Sequence, residues 1–150
     1  MSGDFTPLEL LADRLRKAPS ADREIFAIVI NGCSRIAALR KAGKASHLDR
    51  LFANGAWTDA ALTLLAMELP AWTVRRLIYE DGEWICSLSQ QPNLPLAVDD
   101  TVDTQHPDLP VAILAALTEA RARTASRHDR QSVPRIKSEP GYVHCCDNFA

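Results

Sequence analysis

Along most of the chain apolar residues return every three to four positions, and over residues 72 to 90 they alternate with polar ones. This pattern predicts an α+β protein, mostly helical with about five helices, carrying one small antiparallel β-hairpin or three-stranded sheet. Phe5-Thr6-Pro7-Leu8-Glu9-Leu10 is a dense helix start: Thr6 serves as N-cap, Pro7 fits the first helical position, Glu9 closes a capping box and Phe5 staples against Leu10. That helix is expected to reach about Lys17. Trp57-Thr58-Asp59 repeats the device, with Thr58 as cap and Trp57 packing on Leu62, ahead of a helix that runs to about Leu69 and stops at Pro70. A short helix is expected from about Ser46 to Phe52, before an Asn54-Gly55 turn. A last helix follows Asp108, with its stripe at Leu109, Ile113, Ala116, Leu117 and Ala120.

The segment SADREIFAIVINGCSRIAALRKAG reads either as a strand from Ile25 to Ile30, an Asn-Gly turn and a helix, or as one long helix. Phe26, Val29, Ile30, Cys33, Ile36 and Ala37 share a face at the helical period, opposite Glu24, Asn31, Ser34, Arg35 and Lys41. The period passes through Asn31-Gly32 unbroken. A single helix ending at Gly43 is therefore expected, its internal glycine costing about 1 kcal/mol against the burial of an apolar face.

In RRLIYEDGEWICSLSQQPNLP, two alternating segments flank Asp81-Gly82, a strong hairpin signal. A two-residue turn would set Glu80 opposite Glu83, a like-charge pair. A three-residue Glu80-Asp81-Gly82 loop, with Gly82 left-handed in a bulge, avoids this and is expected. Its register places Trp72, Val74 and Ile78 on the core face with Trp84, Cys86 and Leu88. Thr73, Arg75, Leu77, Tyr79, Ile85, Ser87 and Ser89 then share the other face, where Arg75, Tyr79 and Ile85 are candidate contact residues. An isolated hairpin is marginal in water, so it must pack on helices or gain a third strand from the Leu94 to Val98 region.

The 150-residue length and a formal charge of -2 then narrow the classes. One domain is expected over residues 1–124. From residue 125 to 150 the apolar period gives way to Ser, Arg, Asp, Gln and Pro, the composition of a disordered tail. The near-neutral total gives no global attraction to nucleic acid or anionic membrane. Cysteines at 33, 86, 145 and 146 match no small disulfide framework, which points to reduced thiols in a cytoplasmic setting. Asp4 and Glu9 stand where a signal peptide would be basic and then apolar. The longest stretch without a charged side chain, Trp84 to Val98, falls short of the roughly 20 apolar residues of a membrane span. Charge is nevertheless uneven: residues 77 to 120 hold eight acids and no Lys or Arg, while 121 to 137 carry six basic residues against Asp129. That asymmetry fits either docking of the basic segment on the acidic region or a solvated helix end.

Several tempting chemistries are poorly supplied. Ile28 to Arg35 suggests a strand, a glycine turn and a helix, but Gly32 stands where a dinucleotide fingerprint needs several glycines. Asp99, Asp100 and Asp103 form a DDxxD string, a candidate divalent-cation site, but it falls in a loop between prolines, and Asp-rich loops are more often turns and solvated surface. His144-Cys145-Cys146 lacks the spacing and second ligand pair of structural zinc. Cys86, Ser87 and Cys33 are candidate nucleophiles with His47 and His106 as bases, although no local signature joins them. In a winged-helix layout TDAALTLLAMEL would be the reader, yet it offers no Arg, Lys, Asn or Gln to DNA.

The segments RRLIYEDGEWICSLSQQPNLP, ADREIFAIVING and AWTDAALTLL resemble short uncharacterised proteins of rhizobium-type alphaproteobacteria, over roughly residues 20 to 124. The resemblance implies a bacterial cytoplasmic origin; it carries no fold, activity or catalytic residue. The leading expectation is a non-enzymatic cytoplasmic protein-protein interaction or regulatory domain, without cofactor, whose partner is another protein or a second copy. One alternative is a winged-helix-like nucleic-acid-binding protein using Arg75, Arg76 and the Arg40 to Lys44 run. The other is a small enzyme or divalent-cation-binding protein using Cys86 or the Asp99 to Asp103 loop.

Overall fold

A computed structural model describes residues 6–131. Among them the elements follow as α1 (Pro7–Lys17), α2 (Arg23–Asn31), α3 (Ser34–Lys41), α4 (Ser46–Ala53), α5 (Trp57–Glu68), β1 (Thr73–Glu80), β2 (Glu83–Ser89), β3 (Val102–His106) and α6 (Leu109–Gln131). The expected α+β, mainly helical class holds, with six helices rather than about five and a three-stranded antiparallel sheet ordered β1-β2-β3. No helix among the described residues is long and apolar enough to cross a membrane.

The middle of the fold is α6. Val111, Ala112, Ile113, Leu114, Ala116 and Leu117 are all fully buried, so this segment is enclosed almost all round rather than along the expected stripe. It can be, because α1, α5, β2 and β3 all pack against it. The helix also continues to Gln131, so the first residues of the expected tail, 125–131, are helical; the rest of that tail, with His144-Cys145-Cys146, lies outside the described residues.

The N-terminal capping box forms as the sequence predicts. Thr6 Oγ1 accepts from the Glu9 N–H at 3.3 Å, and Glu9 Oε2 accepts from the Thr6 N–H at 2.9 Å. At α5 the expectation fails: the helix begins at Trp57, and Ala56 occupies the cap position with no side-chain cap bond. The cause lies one turn earlier. Helix α4 ends with the Gly55 N–H on Phe52 O and the Ala56 N–H on Leu51 O, a left-handed glycine termination with Gly55 at φ 66° that leads directly into α5. Trp57 thereby reaches the core, stacked on Phe26 at 5.2 Å between ring centroids, while Phe52 meets the same Phe26 edge-on at 5.1 Å.

The single helix expected up to Gly43 is two helices. Gly32 is the C-cap of α2, and Cys33 is extended (φ -96°, ψ 99°) before α3 begins at Ser34. The apolar period survives the break, since Val29, Cys33 and Ile36 are all buried. Tertiary partners make the break tolerable. The Arg121 guanidinium of α6 donates to the Gly32 carbonyl, and the buried Glu68 carboxylate of α5 accepts from the Ile36 N–H at 3.1 Å. Arg35 Nε adds a bond to Met67 O at 3.3 Å.

The hairpin also departs from its expected register. Asp81 (φ 54°) and Gly82 (φ 83°) form a two-residue turn of the mirror-image type, and Glu80 stands directly opposite Glu83. The bulge expected at the turn lies instead in β1, between Val74 and Arg76. This extra residue changes the parity of the strand. Val74, Leu77 and Tyr79 pair with Leu88, Cys86 and Trp84, while Ile78 pairs with Ile85 on the opposite face. Thus Ile78 leaves the expected core face, and Leu77 and Tyr79 join it.

The third strand is Val102–His106, not the Leu94 to Val98 region. Pro92 and Pro95 withdraw donors from that region, which folds into turns with the Val98 and Asp99 N–H groups both on Pro95 O at 3.0 Å. In β3 the buried Val102 and His106 alternate with exposed Asp103 and Gln105. The His106 Nδ1 accepts from the Asp108 N–H at 2.9 Å, so Nε2 carries the proton and donates to Ala18 O at 2.8 Å. Asp108 Oδ2 accepts from the Ala21 N–H at 2.9 Å, closing a clasp between the start of α6 and the α1–α2 connection.

Candidate functional site

The bulge in β1 determines where Arg75 goes. Its guanidinium ion-pairs with the Asp99 carboxylate and donates to Leu94 O at 2.7 Å. Only 16% of the Arg75 side chain and 2% of that of Asp99 are exposed. Ser89 Oγ donates to Asp99 Oδ2 at 2.7 Å and accepts from the Gln91 N–H at 2.9 Å. These bonds fasten the 90–101 connection to the hairpin and bury Ser89 completely.

The other two aspartates of the string have separate partners. Asp103 accepts from Ser87 Oγ and, at 2.9 Å, from Thr101 Oγ1. Asp100 accepts from Arg123 at 2.8 Å and from Arg127 at 3.1 Å, both on α6. Arg127 also reaches Gln90 Oε1 at 2.6 Å. The DDxxD carboxylates therefore diverge into three hydrogen-bonded settings. Among the described residues no group of three His, Cys, Asp or Glu side chains is arranged to hold a metal ion. The acidic and basic segments separated in the sequence do meet, through Asp100 and the last turns of α6.

The sequence-nominated thiols are enclosed. Cys86 faces Leu77 with no exposure, and burial, with a smaller contribution from the Asp103 charge, pushes its pKa up to about 12. Cys33 is raised to about 11, chiefly by burial, with Arg121 opposing and Glu68 adding to the rise. Its thiol donates to Val29 O at 3.2 Å. Both remain protonated near neutral pH, a poor state for a nucleophile. His106, a nominated base, has both ring nitrogens engaged by backbone groups. The nominated reader helix α5 buries Ala60, Ala61, Leu64, Leu65 and Glu68.

Tyr79, Ile85 and Arg75 are not brought onto one face. Tyr79 is 60% exposed beside Trp84, on the side of the sheet that carries Cys86. Ile85 is half-buried on the outer side, opposite Ile78. Arg75 is spent on Asp99 and Leu94. What the sequence reading missed is the set of apolar side chains that the fastened connection presents to solvent. Of the large hydrophobics exposed among the described residues, Leu10 stands alone, and Ile78, Tyr79, Leu94, Leu96 and Val98 all belong to the hairpin or the connection after it.

Glu68 and Arg121 were also missed. An acid in the last turn of an apolar helix runs against the helix dipole, and that local mismatch was the available signal for Glu68. Arg121 showed no such sign. One of its terminal nitrogens serves Gly32, and the other, Nη1, is buried without a hydrogen-bond partner.

Comparison with protein-family models, curated proteins and solved structures found no match.

Proposed function

We propose that this domain binds a protein through the outer part of its hairpin and the 90–101 connection, and that it does so without catalysis. The observation that carries the reading is the concentration of exposed large apolar side chains at Ile78, Tyr79, Leu94, Leu96 and Val98. Ile78 and Tyr79 lie on opposite faces of the hairpin, whereas Leu94, Leu96 and Val98 fall within one short pinned connection, and apolar side chains gathered there and held open to water are a feature of contact sites. The Arg75–Asp99 ion pair and the Ser89 hydrogen bond pre-order the connection, which lowers the entropy lost on binding. Arg76, Glu80 and Glu83 supply charges of both signs around it. The partner expected is therefore a protein with an apolar contact patch and little net charge, rather than a polyanion.

A photo-reactive residue placed at Leu96 tests this against the same residue at Leu10, because the two positions are equally exposed at 58%. The Leu96 probe is expected to capture one discrete protein species in the native cytosol, and Val98→Asp should abolish the capture. Crosslinking of the purified protein to itself would identify a second copy as the partner. Equal labelling from Leu10, or no discrete product from Leu96, would defeat the reading.

A further inference from the structure

The opposite edge of the sheet carries a second surface. Strand β3 pairs with β2 alone, and among the described residues no other backbone group bonds to its main chain. In an antiparallel pair every second residue turns its N–H and C=O away from the neighbouring strand. Those groups of β3 face a groove of about 890 Å³ that it shares with α1 and α6. The direction follows from the lining: Asp103, Thr104 and Gln105 are consecutive, and their side chains alternate between the two faces of the sheet, so a groove that touches all three runs along the strand's edge.

The rest of the groove defines what could enter. Ala12, Ala115 and Ala122 leave room for a main chain and its side chains beside β3. Three carboxylates, of Glu9, Asp103 and Glu119, line it beside the guanidinium of Arg16; Glu9 and Asp103 accept only from uncharged donors, a backbone N–H and two hydroxyls, while Glu119 lies 3.9 Å from Arg123. Natural proteins usually blunt an open strand edge with lysine, proline or a covering element. Here β3, Val-Asp-Thr-Gln-His, contains neither lysine nor proline.

We propose that this groove accepts an extended, basic segment of a partner protein as a fourth strand paired with β3. Main-chain hydrogen bonds to the edge would supply register, alternate side chains would enter above the alanines, and lysine or arginine side chains would meet the carboxylates. This surface is independent of the hairpin contact.

The probe is a seven-residue peptide of alternating lysine and valine, titrated into the full chain while amide hydrogen exchange is followed. Two control peptides replace lysine by glutamate or methylate alternate backbone nitrogens on the pairing edge. The lysine peptide is expected to slow exchange at β3, with affinity that falls as salt rises. The glutamate peptide should not bind, and backbone methylation should weaken binding at least about tenfold, the equivalent of one or two main-chain hydrogen bonds. Glu119→Lys, at an exposed position, should weaken it about threefold to fivefold with the fold retained. Equal binding of the methylated peptide would reduce the interaction to charge alone and overturn strand addition. Slow exchange at the outward β3 amides before any peptide is added would assign the edge to the chain's own terminal residues and overturn it as well.

Discussion

Glu68 Oε2 accepts the backbone N–H of Ile36 at 3.1 Å, so a carboxylate from the end of α5 caps the beginning of α3. Cys33, in the cap position, makes no side-chain cap bond of its own. The bond is therefore what closes the break between α2 and α3 from outside. Removing it leaves a buried N–H without an acceptor, which costs about 1 to 3 kcal/mol. Glu68→Ala is expected to lower the unfolding free energy in urea by that amount, with a lower midpoint, and Glu68→Gln, which keeps an acceptor oxygen, by less. An unchanged midpoint in Glu68→Ala would show that the cap is dispensable.

The Arg75–Asp99 pair is enclosed, whereas Asp100, with its two arginines, is 67% exposed. The two sites should respond differently. Arg75→Met strands a buried carboxylate and is expected to cost about 3 to 5 kcal/mol, much of which Arg75→Met with Asp99→Leu should recover. Asp100→Ala should cost less than about 1 kcal/mol. Chemical denaturation of the four proteins measures this, and limited proteolysis should find the 90–101 connection cut faster in Arg75→Met alone.

Burial of both thiols has a pH consequence. Their folded pKa values, about 11 for Cys33 and about 12 for Cys86, lie above the ordinary value of 9.0. The folded state keeps protons that the unfolded state releases, so their linkage leaves stability unchanged below about pH 9 and reduces it as pH rises from there through 11 and 12. A Cys33→Ala, Cys86→Ala variant, less stable at neutral pH because of the cavities, should show a shallower loss across that window in urea midpoints. Native Cys33 and Cys86 should also resist alkylation at pH 8 and react once urea unfolds the chain.

The turn combines a requirement with a flaw. Gly82 at φ 83° occupies a conformation that costs an L-residue about 1 to 2 kcal/mol, so Gly82→Ala should destabilise by about that much. Glu80 opposite Glu83 is a like-charge pair, and Glu80→Lys should stabilise by about 0.2 to 1 kcal/mol. Thermal unfolding of both variants tests the register, because in the alternative three-residue loop Glu80 would not face Glu83 and its replacement would change little.

Local chemistry was legible where it was self-contained. The capping box of α1, the short α4, the end of α5 before Pro70 and the existence of the hairpin all depend on residues within a few positions of one another. The shared face expected for the three candidate contact residues was not legible: Ile85 lies on the outer face, but Tyr79 lies on the other and Arg75 pairs with Asp99. The exposed Leu94, Leu96 and Val98 could not be anticipated, because they depend on how that connection is pinned. The same holds for the metal reading, since the partners of Asp99, Asp100 and Asp103 come from β1, β2 and α6.

The hairpin shows the division most clearly. Asp81-Gly82 between alternating segments was enough to determine that two strands turn there, because a left-handed dipeptide and the period of the strands are local properties. Which side chains face the core was decided by one bulged residue, Arg75, whose side chain ion-pairs with Asp99, 24 residues away. Likewise the apolar period through Gly32 determined that Val29, Cys33 and Ile36 would be buried together. Whether the chain bends there was decided by Glu68 and Arg121, which satisfy from outside the polar groups that a continuous helix would satisfy from within.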